Sequence, residues 1–233
     1  MRCVLLTIVF ALVGCCSCPD LYKSIGADFV GVRYVNNPLG EGVAPDDDPL
    51  IRFDAFDCTT FVETVLADGD VEKLNKIRYK NGQPGFINRN HFIETDWLEN
   101  NSGLVINASA KYAATSSRNV IIDKKSWLKK IYNIDAEFAP RNVDLEYIPY
   151  KYADGIKVLK PVVILFVIDN PRIRNKIGTD LAVRHMGFLL PNGILRHASR
   201  KSGKVVDENF EKYIKQIMEN KNNLGIMILD IKK

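Results

Sequence analysis

Histidine and cysteine are scarce: the 233 residues hold three of the former and five of the latter. Cys3, Cys15, Cys16 and Cys18 crowd the first eighteen positions, which leaves Cys58 alone in the body of the chain. One body thiol excludes a disulfide framework, and the spacing of the others fits no zinc site. No metal or organic cofactor is implied. Charge of one sign is also lacking, because 32 Lys+Arg stand against 28 Asp+Glu without basic blocks, and this excludes a nucleic-acid footprint. No apolar run reaches the roughly 18 to 20 residues that a permanent membrane-spanning helix needs. With 46% hydrophobic and 26% charged residues the chain nevertheless reads as a folded protein rather than a disordered one.

The first residues read as targeting rather than fold. Arg2 gives a positive start, Val4 to Val13 an apolar stretch, and Gly14 a small residue directly before Cys15, as in a secretory signal. The placement of Cys15 resembles the bacterial lipoprotein box, with an ordinary cleaved signal as the alternative. That resemblance implies a signal peptide over 1–14, lipidation of Cys15, a tether over 15–21 and membrane attachment through the lipid alone. The residues after Cys15 lack the Asp that favours inner-membrane retention, so an outer-membrane, periplasm-facing position is expected.

Along the body, Leu21, Ile25, Phe29 and Val32 recur at helical spacing and predict a short helix over Asp20 to Val32. Residues 37–57 carry Pro38, Gly40, Gly42, Pro45 and Pro49 with Asp46, Asp47 and Asp48, which predicts an irregular, exposed loop with a solvated acidic run. Phe61, Val62, Val65 and Leu66 then mark a helix that Asp57 with Thr59 or Thr60 can cap, placing Cys58 at its N-terminus. The stretch from about 70 to 154 shows little pattern beyond a helix around Trp127, Leu128, Ile131 and Tyr132. Val162 to Ile168 is a continuous apolar run suited to a strand buried on both faces. Ala182 to Leu190 and Ile194 to Ser199 read as a hairpin, Phe210 to Met218 as an amphipathic helix, and Gly225 to Ile231 as a last strand. A cysteine-bearing helix followed by clustered strands predicts a single α+β domain over 22–233, with an insertion at about 70–154.

The hairpin matters because it carries two of the three histidines. Pro191-Asn192-Gly193 suits a three-residue loop closed by a left-handed Gly, which sets Leu190 against Ile194. Gly187 then faces His197 and His185 faces Ser199, so the two imidazoles are diagonal neighbours on one face. A two-residue Asn192-Gly193 turn would instead put them on opposite faces. Alone, Cys58 would be an inert thiol and the histidines satisfied side chains. Together they suit nucleophilic catalysis: a helix N-terminus and a neighbouring imidazolium lower a thiol's pKa, His185 can act as base and then acid, and His197 can orient it.

Asp57-Cys58-Thr59-Thr60-Phe61, Arg184-His185-Met186-Gly187-Phe188 and Arg196-His197-Ala198-Ser199 resemble the motifs of the NlpC-type papain-like cell-wall hydrolases. Within that superfamily, Ile77-Arg78-Tyr79-Lys80, Phe86, Arg89, His91-Phe92, Asp96-Trp97 and the tail through Val205-Val206, Tyr213 and Gly225-Ile226 are similar to the N-acetylmuramoyl-L-alanine-amidase-like family. The resemblance implies a papain-like fold with Cys58 as nucleophile, His185 as base and His197 as orienting residue. It also implies substrate-side roles for Tyr34, Thr59 and Asp57, the last with helix capping as the alternative. The implied reaction is hydrolysis of the amide between N-acetylmuramic acid and L-alanine in peptidoglycan fragments, by a monomer. A γ-D-glutamyl-diamino acid endopeptidase reading a free L-alanine amine through Tyr34 and Asp57, and a non-catalytic wall-binding lipoprotein, are the alternatives. His91 has no chemical role in either enzyme and is expected to bond a loop. The family's Gly-Asp before the histidine strand is absent around Lys160-Pro161-Val162, and Asn36-Asn37 replace a common Gly-Gly.

Overall fold

The apolar run at Val162 becomes a strand, β6 (Val162–Ile168), with all seven residues buried. Its alternation feeds two cores. Val163, Leu165 and Val167 enter one, and Val162, Ile164 and Phe166 the other, as period-2 geometry requires. This computed structural model describes residues 25–232, so the expectations for the signal, Cys15 and the tether lie outside the described residues.

Around β6 stand β1 (Arg33–Tyr34), β2 (Ala55–Phe56), β3 (Val105–Asn107), β4 (Ser116–Ile122), β5 (Arg141–Pro149), β7 (Val183–Leu189), β8 (Ile194–Ser199), β9 (Lys204–Asn209) and β10 (Asn223–Ile231). They form one 10-stranded sheet in the order β2-β1-β9-β8-β7-β6-β10-β5-β4, with β3 also on β10. The short β1–β2 pair is parallel, while β6 is flanked antiparallel by β7 and β10. The helices of seven residues or more are α1 (Cys58–Leu66), α2 (Val71–Arg78), α3 (Lys124–Tyr132), α4 (Pro171–Ile177) and α5 (Phe210–Ile217). Helix α1 packs one face of the sheet through Phe61 edge-on to Phe188, and α5 the other through Tyr213 edge-on to Phe166. The chain is thus α+β with a large mixed sheet.

Two local expectations are corrected. Between Ile25 and Val32 the chain makes only a 3-10 turn, Ala27–Phe29, because Gly26 (φ 66°) and Gly31 (φ 94°) adopt left-handed backbone that interrupts a helix. The loop over 37–57 is irregular but not simply exposed. Leu39 is fully buried, and Asp46 is buried against Arg89 at 2.8 Å, with Glu41 gripping the same guanidinium at 2.8 and 2.5 Å. A buried cation from the stretch near 90 therefore holds two carboxylates of this loop, which separation in sequence concealed.

The stretch from 70 to 154 is ordered rather than featureless. It supplies α2, α3, β3, β4, β5 and a π turn, Ile93–Trp97. Trp97 is fully buried and donates its indole N–H to Glu63 of α1 at 3.1 Å, and Arg78 of α2 pairs with the same carboxylate at 2.9 Å. The underside of α1 is therefore built by this region.

Candidate active site

Cys58 opens α1 because Asp57 caps it. The Asp57 Oδ1 accepts the Thr60 N–H and the Thr60 hydroxyl, both at 2.8 Å, and Thr60 Oγ1 in turn accepts the Asp57 N–H at 3.0 Å. This reciprocal box, worth about 1 kcal/mol, fixes the first turn and leaves the Cys58 N–H at a position with no intrahelical partner. Asp57 Oδ2 accepts the Asn37 N–H at 3.1 Å, and Asn37 Nδ2 donates to Asp46 at 2.8 Å, so the cap is tied back to Arg89.

The hairpin forms with the three-residue loop. Leu190 N–H donates to Ile194 at 2.9 Å, Gly193 sits at φ 74°, and Phe188 pairs with Arg196. The resulting register sets Gly187 against His197, and a Cβ on Gly187 would stand 2.8 Å from both the Arg196 carbonyl oxygen and the His197 Cβ. The imidazoles meet on one face: His185 Nε2 lies 2.6 Å from His197 Nδ1. That separation requires a single proton between the two nitrogens. Phe166 and Tyr213 wall the pair, with Tyr213 5.2 Å edge-on from His197 and Phe166 5.4 Å from His185.

Cys58 approaches from the other layer. The β7–β8 ladder is registered over Phe188–Arg196 and Leu189–Leu195, and toward the start of β7 the Met186 N–H turns to the Cys58 sulphur. The residue that follows His185 thus directs its backbone N–H at the thiol, whose Sγ lies 3.9 Å from the Thr59 hydroxyl. Burial pushes the thiol up to about 12, reinforced by the Asp57 charge, against which the Met186 and Thr59 bonds pull weakly. Burial likewise holds His185 well below the ordinary imidazole value, with His197 and Arg184 adding to it. The expected lowering of the thiol is thus reversed in the resting protein. Desolvation disfavours both charged forms, and the pair rests as neutral thiol and neutral imidazole.

Tyr34, half-buried on β1, is pushed up to about 12 by burial, then by the charges of Asp57 and Cys58, and stays a hydroxyl donor at neutral pH. His91 bonds the Phe86 carbonyl at 2.7 Å and is flanked by Phe86 and Trp127, as a loop-bonding histidine should be. Two neighbours escaped the sequence reading of the site. Tyr213 had only the periodicity of a packed helix. Glu94, on the π turn, is buried and accepts the Ala182 and Val183 N–H groups at 2.6 Å each, two residues before His185. Burial raises its carboxyl above the usual range, although those backbone bonds oppose the shift. Here β7 carries a bulge, with Phe166 paired to His185 and Val167 to Val183, so Glu94 holds the strand where its ladder is irregular. A lone acidic residue gives no sequence signal for such a role.

Residues 24–222 match the AmiA-like family model, described as N-acetylmuramoyl-L-alanine amidase-like. Among curated proteins none matches the chain. A crystal structure of a Legionella pneumophila protein of family DUF1460 is similar at TM-score 0.81 and 27% identity, covering 91% of this chain and 88% of that one. An N-acetylmuramoyl-L-alanine amidase of Bacteroides uniformis shares the fold at TM-score 0.69 and 24% identity, covering 91% of this chain and 99% of that one. A Trichomonas vaginalis NlpC1 reaches TM-score 0.30 at 13% identity, too remote to support a papain-like fold. The family match spans the Cys58 helix, the histidine hairpin and the stretch between them, and the chain belongs to the N-acetylmuramoyl-L-alanine amidase-like family of cell-wall hydrolases.

Proposed function

We propose that the chain is a cysteine-dependent amidase that hydrolyses the bond between N-acetylmuramic acid and L-alanine in peptidoglycan fragments. The observation that carries this reading is the 2.6 Å bond between His185 and His197 on the strand whose Met186 N–H meets the Cys58 thiol. With Nε2 of His185 engaged by His197, its Nδ1 is the nitrogen left to take the thiol proton. Sulphur attacks the muramyl carbonyl carbon as that proton moves to His185. The Cys58 N–H, at the start of α1, donates to the developing oxyanion. His185 then returns the proton to the alanine nitrogen as the C–N bond breaks. Water, deprotonated by His185, hydrolyses the thioester and restores the thiol. Because thiol and imidazole rest neutral, proton transfer accompanies attack instead of preceding it.

The arrangement of roles is papain-like. Thr59 adjoins Cys58 and Tyr34 lies within reach of its charge, and both serve the substrate side. Asp57 favours the amidase over the endopeptidase: Thr60 and Asn37 engage three of its roughly four acceptor positions, leaving little for a free amine. The leader suggests an exported monomer, lipid-anchored through Cys15 with residues 16–21 as tether, on the outer membrane facing the periplasm. A mass shift on the N-terminal peptide of membrane-extracted protein tests the anchor, and its absence rejects it.

Defined muropeptides with and without the sugar, incubated with protein starting at Ser17 and read by mass spectrometry, test the reaction. Release of intact peptide from the sugar is expected, with a fall of about 10³-fold or more in Cys58→Ala. Release of an L-Ala-D-Glu dipeptide, or full activity in Cys58→Ala, would reject it.

A further inference from the structure

Among the buried atoms of the histidine pair, one has no hydrogen-bond partner: His197 Nε2. Its other nitrogen settles what it carries. For His185 to receive a proton at Nδ1, its Nε2 must be the donor toward His197 Nδ1, so His197 holds its own proton on Nε2. That N–H faces Glu208 of β9, whose Oε1 stands 3.7 Å away. The register explains the placement. His197 pairs with Val206 across β8 and β9, and Glu208, two residues on, shares its face. The Glu208 side chain is 32% exposed while His197 is 1% exposed, so the carboxylate has the freedom to close a gap that the ring does not.

We propose that Glu208 is a positioning residue that acts through His197, completing a relay from Cys58 through His185 and His197 to a carboxylate. This deepens the amidase reading and rests on it. When His185 takes the thiol proton, the new positive charge is shared along the 2.6 Å bond to His197, and Glu208 moves onto the Nε2 proton to balance it. No bond to substrate is made by Glu208; it sets the cost of forming the imidazolium in a buried site. The other titratable or charged groups facing the pair are Arg184 on β7, Asp207 on β9, Tyr213 on α5 and Cys58 on α1. Arg184 opposes the imidazolium. Asp207 is engaged by Arg196 at 2.7 and 2.8 Å, which leaves Glu208 as the carboxylate aimed at Nε2.

The rate of Cys58 alkylation by iodoacetamide, followed from pH 5 to 10 by the mass of the Cys58-bearing peptide, reports thiolate formation without any peptidoglycan substrate. Glu208→Gln is expected to slow alkylation roughly threefold to tenfold across pH 7 to 9, below the range in which the buried thiol ionises unaided. Glu208→Asp, which keeps the charge, recovers part of that loss. Glu211→Gln, the same charge change at an exposed position of α5, leaves the profile unmoved. Superimposable profiles for Glu208→Gln and the parent would overturn the relay, as would an equal loss in Glu211→Gln. A Cys58→Ala protein that still cleaves muropeptide would overturn the amidase reading instead, whatever Glu208 does, so the two failures are distinct.

Discussion

Replacing Arg89 with Met removes a buried cation while keeping most of its volume. Four bonds go: Nε to Glu41 Oε1 at 2.8 Å, Nη2 to Glu41 Oε2 at 2.5 Å, Nη1 to Asp46 Oδ2 at 2.8 Å and Nη1 to Asn37 Oδ1 at 3.3 Å. The side chains of Arg89, Glu41 and Asp46 are 8%, 3% and 9% exposed, so two carboxylates would be left dry without a counter-charge. Breaking one side of such a pair costs about 3–5 kcal/mol, which in a domain of this size lowers Tm by about 6–20 °C. The loss should depend on pH. In the parent, burial alone would raise the Asp46 carboxyl, but the bonds from Asn37 and Arg89 outweigh it and hold the group below its usual range. Its contribution to stability is therefore present above the unfolded carboxylate value and lost as pH falls through the lower folded one. In Arg89→Met the sign reverses. Without Arg89, burial pushes the Asp46 carboxyl upward against the Asn37 bond alone, and the variant regains stability on acidification toward pH 5. Urea unfolding at pH 8 and pH 5 should show a larger deficit at pH 8. A deficit below about 1 kcal/mol at pH 8, or an equal one at both pH values, would refute the argument that this pair is buried and charged.

Gly187→Ala should lower muropeptide cleavage by about tenfold or more, with a stability loss of about 1–3 kcal/mol, because the added Cβ stands 2.8 Å from the Arg196 carbonyl oxygen and the His197 Cβ. Unchanged kcat would show that the close strand approach does not position the imidazoles. Glu94→Gln keeps an oxygen for the Ala182 and Val183 N–H groups and is expected to stay within about 1 kcal/mol of the parent at pH 7. Glu94→Ala strands both donors and should lose about 2–4 kcal/mol by urea titration. Equal losses in the two variants would mean that the carboxylate charge, rather than the acceptor, holds β7.

The site was legible where local chemistry decides structure. Asp57 and Thr60 cap a helix three residues apart, and Pro191-Asn192-Gly193 sets a hairpin register from its own turn geometry, so Cys58, His185 and His197 could be placed from short stretches of sequence. It was illegible where distant residues decide. Asp46 looks like part of a solvated acidic run until Arg89, 43 positions away, buries it. Lys204 to Asn209 is too polar to announce a strand, yet pairing with β8 makes it one and brings Glu208 beside His197. Periodicity favoured a helix through Ile25 and Phe29 because it counts apolar side chains and ignores the backbone preference of Gly26 and Gly31. The ionisation of the thiol also depends on burial, which the motif around Cys58 does not encode.

Strand β10 lies between β6 and β5 in space but follows both in the chain. A ribosome makes the histidine hairpin, the Cys58 helix and the β4–β5 pair before it makes the strand that joins β5 to the rest of the sheet. Until then one edge of β6, apolar on both sides, has no neighbour, and the two parts of the sheet have no ladder between them. The nucleophile is therefore synthesised some 165 residues before its scaffold can close, from Cys58 to Asn223. Vectorial synthesis cannot deliver a finished sheet early: its cooperative assembly waits for residues 223–231.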